Sequence, residues 1–139
     1  MKISLITISF NSASTILNTL KSVKNQHFKD FEHFLIDSDS KDETLKIAKK
    51  FSDMTKIFSE PDNGIYHAFN KGIKKSTGEI IGFLNSDDTF FDSTSLNIIS
   101  ESFDENTDCV FGDLIYTNKN EKIKRIWKSA EFQPGFFKK

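Results

Sequence analysis

Three acidic clusters in this sequence directly follow short apolar runs: Asp37-Ser38-Asp39-Ser40, Glu60 with Asp62, and Asp87-Asp88. Carboxylates at such positions suit a hard divalent cation that also touches phosphate oxygens. A cation of that kind can neutralise charge developing on a diphosphate leaving group. For Asp87-Asp88 the competing reading is a polar turn that caps the next helix. Asp37 is the last residue of its apolar run, where a carboxylate can accept hydrogen bonds from a base N–H or a ribose hydroxyl. The plainer role, a helix cap, is preferred for Ser40, and Asp39 can serve the helix dipole from its N-terminal side. His27, His33 and His67 share no metal-ligand spacing. His27 and His33 read as surface or strand-face residues and His67 as a structural residue near a helix start. No G-x-G-x-x-G or G-x-x-x-x-G-K loop follows the first apolar run, which counts against dinucleotide dehydrogenases and P-loop NTPases.

These residues need elements to position them. Residues 3–10 form a β-branched run that reads as a buried strand. Ile16, Leu17, Leu20 and Val23 then recur at helical spacing. Residues 31–36 read as a second strand, and Ser40 with Glu43 has the spacing of a capping box opening a helix with Leu45, Ala48 and Phe51 inward. Residues 55–58 give a third strand and residues 61–64 a turn. Ile65, Phe69 and Ile73, with small neighbours Ala68 and Gly72, mark a third helix. Residues 79–84 are a fourth strand. Leu96, Ile99 and Phe103 mark a fourth helix, capped near Asp92 or Ser93. Residues 109–111 read as a fifth strand, which buries Cys109, and residues 114–116 and 123–127 as a hairpin around Asn118-Lys119-Asn120. Strand and helix alternating four times argue for a mostly parallel sheet with helices on both faces. In such sheets ligands bind beyond the carboxyl ends of the strands. All three acidic clusters fall there, and like charges gathered at one edge call for a compensating cation.

Composition narrows the class. The chain has 139 residues, 19 basic and 20 acidic, for a net charge of −1. That balance gives no support for nucleic-acid binding. One domain of this length can bury a core without disulfides. The single cysteine excludes an internal disulfide and a cysteine zinc site and points to a reducing, cytoplasmic compartment. No run approaches the ~18 apolar residues of a membrane span.

Taken together, these segments resemble the nucleotide-sugar-binding part of family 2 glycosyltransferases, which have the GT-A fold. The matching stretches, in order, are residues 3–11, ending in an aromatic residue and Asn; residues 31–44, carrying Asp37 and Asp42-Glu43-Thr44; residues 60–66 followed by Ala68, Asn70, Lys71 and Gly72; and Thr77-Gly78-Glu79 leading to Asp87-Asp88. They span about the first 115 positions. The resemblance implies transfer of a sugar from a nucleotide-diphosphate donor, expected to be a UDP-sugar, to an acceptor hydroxyl, in most such enzymes with inversion. It implies that Thr7, Ser9 and Phe10 contact the base, Asp37 the base or ribose, and Asn70 and Lys71 the diphosphate or sugar. Asp87 would meet the ribose or sugar, and Asp88 would hold Mg or Mn.

The expected setting is surface-polysaccharide or glycolipid assembly, with a saccharide or lipid-linked saccharide acceptor and peripheral contact with the inner face of the membrane. Two departures bear on the donor site. His67 stands where relatives often carry Asp, and Ser38-Asp39 replaces the usual Gly-Gly or Asp-Gly. Family enzymes are also substantially longer, so the sequence reads as a single donor-binding domain, residues 1–139, without the acceptor half. A non-catalytic nucleotide-sugar-binding module or an inactive truncated product is the alternative to an enzyme. The Phe-rich stretch holding Phe132, Phe136 and Phe137 is expected to favour self-association.

Overall fold

A computed structural model describes residues 1–118 and 122–129. The stretch that holds Phe132, Phe136 and Phe137 lies outside the described residues. The chain divides into two compact units, Met1–Glu101 and Ser102–Lys139.

In the first unit β1 (Ile3–Ser9), β2 (Phe31–Asp37), β3 (Thr55–Ser59) and β4 (Ile80–Phe83) form one sheet in the order β3-β2-β1-β4. Every pairing is parallel, with Ser9 opposite Asp37 and Asp37 opposite Ser59. The strands alternate with α1 (Ile16–Lys24), α2 (Thr44–Ala48, continued by a 3-10 turn to Phe51), α3 (Ile65–Lys75) and α4 (Ser95–Glu101). Burial of β1 on both faces explains its near-continuous apolar run.

Side-chain alternation sorts the core into two layers. Leu35 packs with Ile16 and Leu20 of α1 and with Ala48 and Phe51, while Leu5 meets Val23. On the other face Ile6, Phe34 and Ile36 pack against Ala68 of α3. Helices therefore cover both faces, as the alternating pattern requires. The approach of α3 is close, because a Cβ built on Gly72 would lie 2.5 Å from Cγ2 of Ile6.

Polar residues also tie the strands. His33 is buried between Thr7 Oγ1 and Thr55 Oγ1, at 3.0 and 2.9 Å. It is a core residue, not one on an open strand face. At the amino edge Glu32 accepts hydrogen bonds from Ser4 Oγ, Lys56 Nζ and both the N–H and the hydroxyl of Thr77.

Two local expectations fail. Ser40 and Glu43 make no capping box; Asp42 accepts the Thr44 N–H at 3.0 Å, and α2 starts there. Residues 109–111 are not a strand, and Cys109 is exposed. Three apolar residues supply too little alternation to separate a short strand from a loop. In the second unit β5 (Leu114–Thr117) and β6 (Ile123–Trp127) pair antiparallel as expected, and Lys119 and Asn120 of the expected turn lie outside the described residues. Asp113 Oδ1 accepts from the N–H and hydroxyl of Ser129. No helix among the described residues is long and apolar enough to cross a membrane.

Candidate nucleotide-binding cleft

Beyond the carboxyl ends of β1 to β4 lies a cleft of about 570 Å³. Its polar wall on the β2 and β3 side carries Ser38 and Asp62. The loop after β1 supplies Phe10 and Ser12, with Ile8 and Ser9 from the strand itself. The loop after β4 supplies Asn85, Ser86 and Asp87, and α3 contributes Gly64, Ile65 and Ala68. The volume falls within the range of small-molecule sites. The cleft spans the edge where the strand order reverses, since β4 adds to the opposite side of β1 from β2.

Hydrogen bonds between loops fix its shape. Asn11 adopts φ 48° and Asp39 φ 60°, left-handed conformations that Asn and Asp tolerate better than most residues. Asn11 Oδ1 accepts the Lys41 N–H, and the Asn11 N–H donates to Ser40 Oγ. These bonds join the loops after β1 and β2. Asp39 pairs with Lys41 at 2.7 Å instead of serving a helix. On the other side Ser12 Oγ and Ser86 Oγ lie 2.8 Å apart, and Thr19 Oγ1 donates to the Ser86 carbonyl. The turn into α3 is held by Asp62. It accepts the Gly64 N–H at Oδ1, 2.9 Å, and the Ser38 hydroxyl at Oδ2. His67 Nδ1 accepts the Asn63 N–H at 3.0 Å, a structural role near the start of α3 as expected.

The sequence-predicted residues divide. Ser9, Phe10 and Asp87 line the cleft. Asp88 is adjacent on the same exposed loop. Thr7 does not reach it, because its side chain is fully buried against His33. Asp37 is also fully buried, and its oxygens accept from Ser9 Oγ, Ser40 N, Ser40 Oγ and Ser59 Oγ. It binds the ends of three strands together from beneath the cleft, and Ser40 is part of that cluster. Lys71 is held by Glu60 at 3.0 Å and by the Pro61 carbonyl at 2.9 Å, outside the cleft lining. Asn70 is exposed on α3 and also lies outside it.

The sequence reading put Asp62 at the ligand edge without giving it a role, and it did not single out Ile8 or Ser38 as lining residues. The signal was the strand period. Leu5 and Thr7 share a face with Leu35 and Asp37, so the alternate positions Ile8 and Ser38 open toward α3 and the cleft.

Electrostatics separates the two ends. Crowding around the Asp88 carboxyl pushes its pKa up, and the neighbouring Asp87 charge adds to this against a 3.2 Å bond from Asn85 Nδ2. Burial acts to raise the Asp62 pKa, but the bonds from Ser38 and Gly64, with the charges of Lys71 and His67, hold it below the usual range. Among the described residues no group of three or more His, Cys, Asp or Glu converges as a metal cage. Two adjacent carboxylates on one exposed loop nevertheless fit Mg or Mn, which take one or two carboxylates and complete their shell with phosphate and water oxygens.

The sequence profile described as Glycosyl transferase family 2 matches residues 4–138. The chain is 33% identical over 123 residues to a PGL/p-HBAD biosynthesis glycosyltransferase of Mycobacterium bovis, covering 84% of this chain and 48% of that protein. It is 37% identical over 101 residues to a cholesterol galactosyltransferase of Borreliella burgdorferi, covering 70% and 28%. The chain thus spans about half or less of the length of these relatives. Among solved structures, S. aureus TarS 1-349 in complex with UDP-GlcNAc superposes with a TM-score of 0.68 at 29% identity, over 73% of this chain and 30% of that one. The mannosyltransferase PcManGT from Pyrobaculum calidifontis, in complex with GDP-Man and Mn2+, superposes with a TM-score of 0.71 at 20% identity, over 84% and 36%, a likeness of fold.

Proposed function

The chain belongs to glycosyl transferase family 2, and on that premise we propose that its cleft binds a nucleoside diphosphate sugar for transfer to an acceptor hydroxyl. One observation carries the reading. A single cleft at the sheet's carboxyl edge joins an exposed aromatic, Phe10, to the Asp87-Asp88 loop. The base and ribose lie along Phe10, Ser9, Ser38 and Asp62. The diphosphate lies toward Asn85, Ser86 and Asp87. Asp88, with Asp87, holds a divalent ion that, when bound, neutralises the charge of the departing diphosphate. A diphosphate beside these carboxylates without a cation would be strongly repelled, so this end of the cleft needs one.

UDP is the favoured nucleotide, supported by the UDP-GlcNAc bound to the S. aureus relative. The acceptor is a saccharide or lipid-linked saccharide of glycolipid or surface-polysaccharide synthesis. The name of the Borreliella burgdorferi relative, a cholesterol galactosyltransferase, supports a lipid acceptor. Transfer proceeds with inversion: the acceptor oxygen bonds to the anomeric carbon as the bond to the diphosphate breaks, and the hydroxyl proton passes to a general base. The exposed, unpaired Cys109 is consistent with a cytoplasmic site of action.

Calorimetry of UDP and GDP with and without Mn tests the donor reading. UDP should bind, Mn should tighten it at least tenfold, and Asp88→Ala should abolish the Mn-dependent gain. Equal UDP affinity with and without Mn would remove the metal assignment, and no nucleotide binding would remove the reading itself.

A further inference from the structure

The end of the cleft away from Asp87 presents hydrogen-bond acceptors. Asp62 is an acceptor-only group when ionised, and each of its oxygens keeps a lone pair after taking the Gly64 and Ser38 bonds. The Ser38 hydrogen is committed to Asp62, so the side of its oxygen left free is an acceptor too. Lys71 is engaged by Glu60 and Pro61, and neither it nor His67 lines the cleft. Beside these acceptors stands Phe10, 63% exposed at the cleft, a flat apolar face for a planar ring. The carboxylate expected from sequence to read the base, Asp37, is sealed beneath the cleft with its bonds already made.

Resting on the nucleotide-sugar reading above, we infer that Asp62, oriented by Ser38, selects the nucleobase. It favours bases with a ring N–H on the hydrogen-bonding edge (uracil, thymine or guanine) over cytosine and adenine. A ring N–H donates to the carboxylate. Cytosine and adenine place a ring-nitrogen lone pair at that position, against lone pairs of like charge. The bond is charge-assisted and keeps its specificity in a half-buried setting. Ser38 fixes the carboxylate plane, and Gly64 ties it to the start of α3.

Competition binding to the full chain with Mn present is the test, using UDP, CDP, N3-methyl-UDP and inorganic pyrophosphate. UDP should exceed CDP and N3-methyl-UDP by about tenfold, the worth of one hydrogen bond to a charged group. Asp62→Asn, which offers an amide donor in place of an acceptor, should shrink the UDP-to-CDP ratio toward one or reverse it. Ser38→Ala should weaken UDP while pyrophosphate affinity stays constant, which also reports an intact metal end. If wild-type protein binds UDP and N3-methyl-UDP equally, or Asp62→Asn weakens UDP and CDP by the same factor, Asp62 does not read the base. In either case a retained Mn-dependent UDP affinity leaves the donor reading standing. If no nucleotide binds, donor reading and base selection fall together.

Discussion

His33, buried and neutral, and Glu32, partly buried and ionised, each set part of the pH range over which the fold is stable. Burial lowers the His33 pKa to about 3, so the ring stays neutral while bridging Thr7 and Thr55. Protons then bind the unfolded chain more readily than the folded one. Stability is complete above about pH 6.5 and falls as the pH drops toward 3, by an amount on the order of 4–5 kcal/mol. Urea midpoints across that window should show this slope, and His33→Leu should flatten it even where it lowers stability overall. Burial acts to raise the Glu32 pKa, but bonds from Lys56, Thr77 and Ser4 outweigh it and leave a value of about 2. The Glu32 side chain is 8% exposed, so little screening is to be discounted. Its contribution, about 3 kcal/mol, is present above pH 4.5 and lost as the pH falls toward 2. Glu32→Gln should therefore cost stability at pH 7 and little near pH 2. Equal destabilisation at both values would show that shape, not charge, matters there.

At the scale of elements, α3 connects packing to the cleft. Its Gly72 rests on Ile6 of β1, and its first turn carries Ile65 and Ala68 into the cleft lining. Alanine is the better helix former by ~1 kcal/mol, so propensity alone predicts that Gly72→Ala stabilises. Packing predicts the reverse, because a Cβ at 2.5 Å from Ile6 forces helix and strand apart, at a typical cost of 1–3 kcal/mol. Packing should win. Thermal unfolding is expected to show a net loss for Gly72→Ala, with weaker UDP binding because the helix start shifts with the helix. The double variant Ile6→Leu with Gly72→Ala should recover part of both losses, since leucine lacks the Cγ2 methyl that lies at the clash. Gly64 precedes the same helix with φ 105°, a conformation that an L side chain strains to adopt, so Gly64→Ala should damage UDP binding more than its small volume suggests.

At the scale of the whole molecule, the strand order β3-β2-β1-β4 gathers loops far apart in sequence into one cleft. Ser12 and Ser86 meet across 74 positions, and Ser38 and Asp62 across 24. A ligand that spans these loops stabilises the folded state by mass action. UDP at about 100 times its dissociation constant, with Mn, should add roughly 2.7 kcal/mol and raise the melting temperature by several degrees. Asp88→Ala should lose the Mn-dependent part of that rise and keep the remainder, measured by thermal shift. An identical rise in wild type and variant would place the metal elsewhere.

The sequence by itself determined the alternation of strands and helices, the parallel sheet, and the edge where ligands gather. These depend on local periodicity, turn residues and chain order, all written along the chain. It also marked the Asp87-Asp88 loop, because its position just past an apolar strand is a local fact, whereas Phe10 was singled out only by the family resemblance. Tertiary structure alone decided which polar residues at that edge are open and which are sealed. Asp37 and Ser38 are neighbours in sequence, yet one is locked under three strands and the other lines the cleft. A strand reverses its face at every residue, so an error of one position exchanges core for site. Thr7 went to His33, Lys71 to Glu60, and Asp62 came to the cleft because partners from other strands and helices met them there, and those partners are chosen by packing across the sheet, not by spacing along the chain.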